Sequence, residues 1–137
     1  MKQIKKEIVI SAPAAKVWEH ITDPKKIAGW LMENDFEPKV GKEFSMSCNT
    51  EGEIACVVKE IVPERKLVYS FRSDDIPVET LVTITLVREG NGTRLTLVHS
   101  GWDALPPDQQ RIADPYAGGW AGFLEKLQDL LSPMKTN

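Results

Sequence analysis

The sequence predicts an α+β domain: a bent antiparallel sheet of six strands wrapped around one long C-terminal helix, with two short helices after the first strand. Three observations carry this. From about Pro107 to Leu131 the apolar residues Ile112, Tyr116, Trp120, Phe123, Leu124, Leu127, Leu130 and Leu131 draw one stripe along a helix, with Glu125, Lys126, Gln128 and Asp129 opposite. The middle of the chain is a series of short segments that alternate apolar with polar residues between turn signals. Gly90-Asn91-Gly92 stands between two of those segments as a hairpin turn, so sequential neighbours pair antiparallel. A stripe this aromatic needs a broad apolar partner, and the concave face of a curved sheet supplies one.

Each element has its own local reason. Gln3 to Ile10 alternates roughly, with Ile4, Ile8 and Ile10 among lysine and glutamate, and reads as a first strand. Ser11-Ala12-Pro13 supplies a capping serine and a first-turn proline for a short helix that buries Ala14, Val17, Trp18 and Ile21. Asp23-Pro24 starts a second short helix, ending near Trp30 or Leu31. Glu33 to Lys42 is polar, contains Pro38 and Gly41, and reads as a loop.

Phe44, Met46 and Cys48 then share a face of the second strand, and Ile54 to Val62 forms the third. Pro63-Glu64-Arg65-Lys66 is a turn by composition. Leu67, Tyr69 and Phe71 share a face of the fourth strand, Val82, Ile84 and Leu86 of the fifth, and Leu95, Leu97 and His99 of the sixth. Ser73 to Pro77 reads as a loop, and Asp114-Pro115 marks a kink or the true start of the last helix. The order is β-αα-βββββ-α, without a repeat or linker.

At 137 residues the chain suits one domain with a real core. A net charge of -3 argues against a general nucleic-acid or anionic-membrane binder. The basic start, Met1-Lys-Gln-Ile-Lys-Lys, lacks the apolar run of a signal peptide, and no segment is long enough to cross a bilayer, so a cytoplasmic protein is expected. Cys48 and Cys56 fall in neighbouring strands without metal-ligand spacing. They read as buried thiols, with a cross-strand disulfide as the alternative. No metal, nucleotide or flavin fingerprint is present, so no cofactor is expected.

Taken in order, Ser11-Ala12-Pro13 with Val17-Trp18, Gly41-x-x-Phe44, Ile61-x-Pro63 with Leu67-Val68-Tyr69-Ser70-Phe71, Gly92 to Trp102, and Gly119-Trp120-x-x-Phe123-Leu124 resemble the domain homologous to the activator of Hsp90 ATPase, within the START-like or birch-pollen-allergen-like superfamily. The resemblance spans essentially the whole chain. It implies a helix-grip fold with an apolar cavity between sheet and C-terminal helix. It does not imply one function: members resemble carriers of lipids and small hydrophobes, polyketide cyclases, stress proteins and a chaperone co-factor. The eukaryotic activator also has an N-terminal domain with no counterpart in this sequence, so Hsp90 activation is not carried over.

On these faces, Phe44, Met46, Cys48, Tyr69, Phe71, Val82, Ile84, Leu95, Leu97 and His99 point from the sheet toward Tyr116, Trp120 and Phe123, with Trp30, Met32, Phe36 and Trp102 at an entrance. Such a mix suits an apolar ligand site with little orientation chemistry, and equally suits a filled core. His99 is the one catalytic candidate, a hydrogen-bond donor or general base; no nucleophile or orienting carboxylate accompanies it, and a structural histidine is the other reading. Gly118, Gly119 and Gly122 lie inside the helix, leaving room for a ligand or meeting a strand closely. Three functions follow: a binder of a hydrophobic small molecule or lipid, a cyclase- or dehydratase-type enzyme using His99 with Tyr69 or Tyr116, and a chaperone or protein-interaction module. A monomer or weak homodimer is expected.

Overall fold

Residues 3–48, 52–73 and 76–131 are described by the computed structural model. Strand β1 (Gln3–Ile10) leads to helices α1 (Ala14–Thr22) and α2 (Pro24–Trp30), and a short strand β2 (Glu33–Asn34) follows. Strands β3 (Glu43–Cys48), β4 (Gly52–Val62), β5 (Lys66–Ser73), β6 (Ile76–Glu89) and β7 (Gly92–Ser100) form the meander. Two 3₁₀ turns, Trp102–Ala104 and Pro107–Ile112, precede helix α3 (Ala113–Leu131). All pairs are antiparallel, in the order β1-β7-β6-β5-β4-β3-β2. This is the helix-grip fold.

The sheet has seven strands rather than six. The extra one, β2, pairs Glu33 with Ser47 and Asn34 with Met46, inside the segment expected to be a loop. Two residues are too few to show alternation, and side chains do the work instead. Asn34 Nδ2 donates to the carbonyls of Pro24 and Met32, and Asp35 Oδ1 accepts the Ser45 N–H.

The helix ends differ in how they are made. Asp23 caps α2 by accepting the Lys25 N–H, with Pro24 in the first turn. Ser11 does not cap α1: Pro13 occupies that position, and its carbonyl receives the Lys16 and Val17 N–H groups. The last helix is 3₁₀ until Ile112 and α-helical only from Ala113. Pro115 sits in the first turn of α3, where a missing N–H breaks no bond.

The core lies on the concave face. Leu67, Tyr69, Phe71, Val82, Ile84, Leu86, Leu95, Leu97 and His99 are all buried, and β7 alternates cleanly because only one of its faces is covered. Gln128 on α3 donates to the Val9 carbonyl, tying the helix to the free edge of β1. Gly101, at φ 100°, reverses the chain after His99 while lying against Thr80; a Cβ there would sit 3.1 Å from Thr80 Cα. That turn tucks Trp102 under the sheet end.

Candidate functional site

The residues singled out from the sequence fall into two separate groups. The first surrounds His99, which β7 points inward and which is fully buried. Trp120 on α3 donates its indole N–H to His99 Nδ1 at 3.0 Å, and His99 Nε2 lies 2.8 Å from Thr80 Oγ1. Thr80 in turn donates to the Phe71 carbonyl at 2.6 Å, and Trp102 donates its indole N–H to the His99 carbonyl at 3.0 Å.

Donor and acceptor roles assign the tautomer. An indole N–H only donates, so Nδ1 accepts and the proton resides on Nε2, which donates to Thr80. The imidazole therefore has neither a free lone pair nor an unshared proton. Burial holds it down to about pH 3 for protonation, so it is neutral near pH 7. Phe71, Trp102, Tyr116 and Trp120 pack against the imidazole at ring-centroid distances of 4.8, 4.5, 6.2 and 6.1 Å, and Phe123 extends the cluster from Trp120 at 6.3 Å. Here the interface between sheet and α3 is filled by interlocked rings.

The second group lies under α1 and α2. A cavity of about 10 Å³ is bounded there by Trp30, Phe36, Met46, Tyr69 and Ile84, together with Ile21, Ile27, Leu31, Asn34, Phe44 and Leu67. No residue of α3 lines it, which departs from the expected location between sheet and C-terminal helix. Trp30 is 1 %, Phe36 2 % and Trp102 0 % exposed, so these side chains sit inside the core rather than at an open entrance. Leu97 is buried beside Ile84, its cross-strand partner. Cys48 falls among the side chains outside the description, as do Glu51 and Asp74-Asp75.

The polar groups around this cavity are nearly all engaged. Trp30 donates its indole N–H to the His20 carbonyl, and Asn34 uses its amide on the Pro24 and Met32 carbonyls while its oxygen accepts the Phe36 N–H. Phe44 stacks edge-on against both Phe36 and Tyr69 at 5.0 and 5.4 Å. Sequence reasoning pointed Phe44 inward with the candidate pocket residues, but placed Leu67 only on a strand face and Ile21 only on a helix face. Nothing in their spacing distinguishes a wall from a core residue.

Phe44 also borders a solvent-open groove of about 510 Å³, shared with Asp35, Glu43, Cys56, Val57, Ser70, Arg72 and Glu79. The groove sits where β4–β5 pairing passes from Ala55–Arg72 directly to Val58–Tyr69, and the Val57 N–H donates to Ser70 Oγ. Cys56 is a free, buried thiol opposite Phe44. Burial, with Asp35 nearby, pushes that thiol up to about 12, which keeps it protonated and unreactive.

Gly118, Gly119 and Gly122 face solvent, and a Cβ on any of them meets nothing within 4 Å. They neither shape a cavity nor approach a strand, and nothing in the structure explains them. Among the described residues no cluster of His, Cys, Asp or Glu could hold a metal, and no helix is long and apolar enough to cross a membrane.

A family model described as activator of Hsp90 ATPase homolog 1-like protein matches residues 11–132. A Mesorhizobium loti protein of known structure is 34% identical, with 99% of each chain covered and a TM-score of 0.86. A Bacillus halodurans protein is 29% identical over 96% of this chain and 98% of its own, with a TM-score of 0.80. The Aha1 dimer from Colwellia psychrerythraea is 20% identical over 100% of both chains, at a TM-score of 0.82, and shares the fold. No curated protein matches.

Proposed function

This chain belongs to the activator of Hsp90 ATPase homologue 1-like family, and from that premise we propose that it binds a hydrophobic small molecule or lipid chain beneath α1 and α2. The observation that carries this is the cavity itself, whose walls are apolar apart from Tyr69 and Asn34. At about 10 Å³ the closed form has room for roughly one water. A ligand enters by displacing the cover, and the cover is suited to that: α1 has 9 residues and α2 only 7, lengths with little helical stability of their own. Met46, flexible and polarisable, can repack around what enters.

The enzymatic reading is disfavoured because both His99 nitrogens are engaged; we assign His99 a structural role. An interaction module needs a broad apolar patch, whereas the exposed apolar residues Val9, Val40, Val62, Leu81, Val87 and Leu130 are scattered along the chain. We infer a cytoplasmic protein, monomeric or weakly dimeric. Native mass spectrometry of freshly purified protein, with organic extraction, tests the binding reading. A reproducible apolar adduct lost on Phe36→Trp supports it. A clean protein mass that also fails to bind N-phenyl-1-naphthylamine overturns it.

A further inference from the structure

Strand alternation gives this sheet a second compartment on its outer face. On β3 and β5 the inner side chains Phe44, Met46, Tyr69 and Phe71 are large and buried. Their outward neighbours, with those of β4, are small: Ser45, Ala55, Val57 and Ser70. Ser70 is buried and Ser45 and Val57 half-buried, whereas Asp35, Glu43, Arg72 and Glu79 are exposed. The short side chains therefore floor the groove of about 510 Å³ and the long ones wall it. It reaches from Asp35, beside the edge of β3, to Glu79 on β6, about 14 Å by three strand spacings. The groove coincides with the break in β4–β5 pairing, where the Val57 N–H turns to Ser70 Oγ at 2.9 Å. Unlike the cavity beneath α1 and α2, it already has the volume of a small-molecule site.

Charge is unevenly distributed along it. At the β5–β6 end Glu79 pairs with Lys59 at 3.3 Å, and Arg72 stands across from it, one residue beyond the Phe71–Thr80 pair. At the β3 end, no lysine or arginine among the described residues pairs with Asp35 or Glu43. Asp35 is fixed there, its Oδ1 accepting the Ser45 N–H at 2.7 Å. Its field reaches inward, where it adds to burial in raising the Cys56 thiol. Three carboxylates against one guanidinium oppose an anionic guest. Among the described residues no group of acids could hold a metal ion, and a bare cation would leave the apolar floor uncovered.

We propose that this groove is a second binding site, separate from the cavity beneath α1 and α2, for an amphipathic organic cation. An aromatic or aliphatic body lies over Ala55 and Val57. Its ammonium sits between Asp35 and Glu43, turned away from Arg72.

The probes are monodansylcadaverine, an aromatic body with one primary ammonium, and its neutral N-acetyl derivative. Each is titrated by fluorescence into the wild-type protein and into Glu43→Gln, Asp35→Asn, Ala55→Trp and Phe36→Trp, with circular dichroism to check the fold. The wild type should prefer the ammonium, and added salt should reduce that preference. Glu43→Gln and Asp35→Asn should each lower it about threefold, the size of an exposed ion pair. Ala55→Trp, which fills the groove, should abolish binding, and Phe36→Trp, in the other compartment, should leave it unchanged. Equal binding of the two probes, no binding of either, or a preference indifferent to both charge variants overturns the assignment. Binding lost in Phe36→Trp but kept in Ala55→Trp also overturns it, and places the probe in the cavity instead. Should Ala55→Trp fail to fold, the charge variants and Phe36→Trp still decide.

Discussion

The two ends of the concave face differ in how completely they are finished. At the α3 end, rings from β5, β7, the Trp102 turn and α3 interlock around His99, and Thr80, Trp102 and Trp120 each donate to an acceptor there. At the α1–α2 end the walls are equally buried, but a small void remains. One end uses a long helix with a polar network that admits a single arrangement; the other uses two short helices and a methionine. The lesson is that burial alone does not distinguish structure from site. Residual space does.

The largest expected effect breaks the finished end. Trp120→Ala deletes a buried indole and orphans His99 Nδ1, so stability should fall by about 4 kcal/mol in urea titration. A loss under about 1 kcal/mol would contradict the packing described.

The second effect is in pH. His99 is protonated only near pH 3 when folded but at an ordinary 6.5 when unfolded, so below 6.5 the unfolded chain binds the extra proton. The associated stability is complete above 6.5 and is lost as pH falls toward 3, amounting to about 3 kcal/mol between pH 7 and pH 4. His99→Gln should flatten that part of the profile; an unchanged slope would assign it to other groups.

The unfinished end should behave differently. Met46→Ala should cost about 2 kcal/mol, at the low end for such truncations, while increasing N-phenyl-1-naphthylamine fluorescence as the void grows. Equal destabilisation without dye uptake would show that the walls collapse instead.

The smallest effect lies outside both ends. Gly118→Ala, Gly119→Ala and Gly122→Ala should each stabilise by about 0.5–1 kcal/mol in thermal melts, because the added methyl meets nothing. A destabilising outcome at any of them would reveal a role for the glycine that the static fold does not contain.

Much of this architecture was legible in residue order. Alternation placed Phe44, Tyr69, Phe71, Ile84, Leu97 and His99 on the inner face, since a strand's side chains can only alternate and one face was apolar. The α3 stripe identified Trp120 as core and Asp23-Pro24 marked the start of α2, both through local chemistry. Strand β2 was not legible, because its two residues are held by Asn34 and Asp35 bonding to segments about ten residues away.

The sequence by itself determined the fold class, the meander and the identity of the buried face, because those follow from periodicity and turn chemistry acting over a few residues. Only the tertiary structure decided that the aromatic residues divide into a sealed cluster and a cavity wall. It also decided that His99 is doubly engaged. These depend on which side chains from distant segments meet within about 3 Å, a hydrogen-bonding distance that no pattern along one strand or helix encodes.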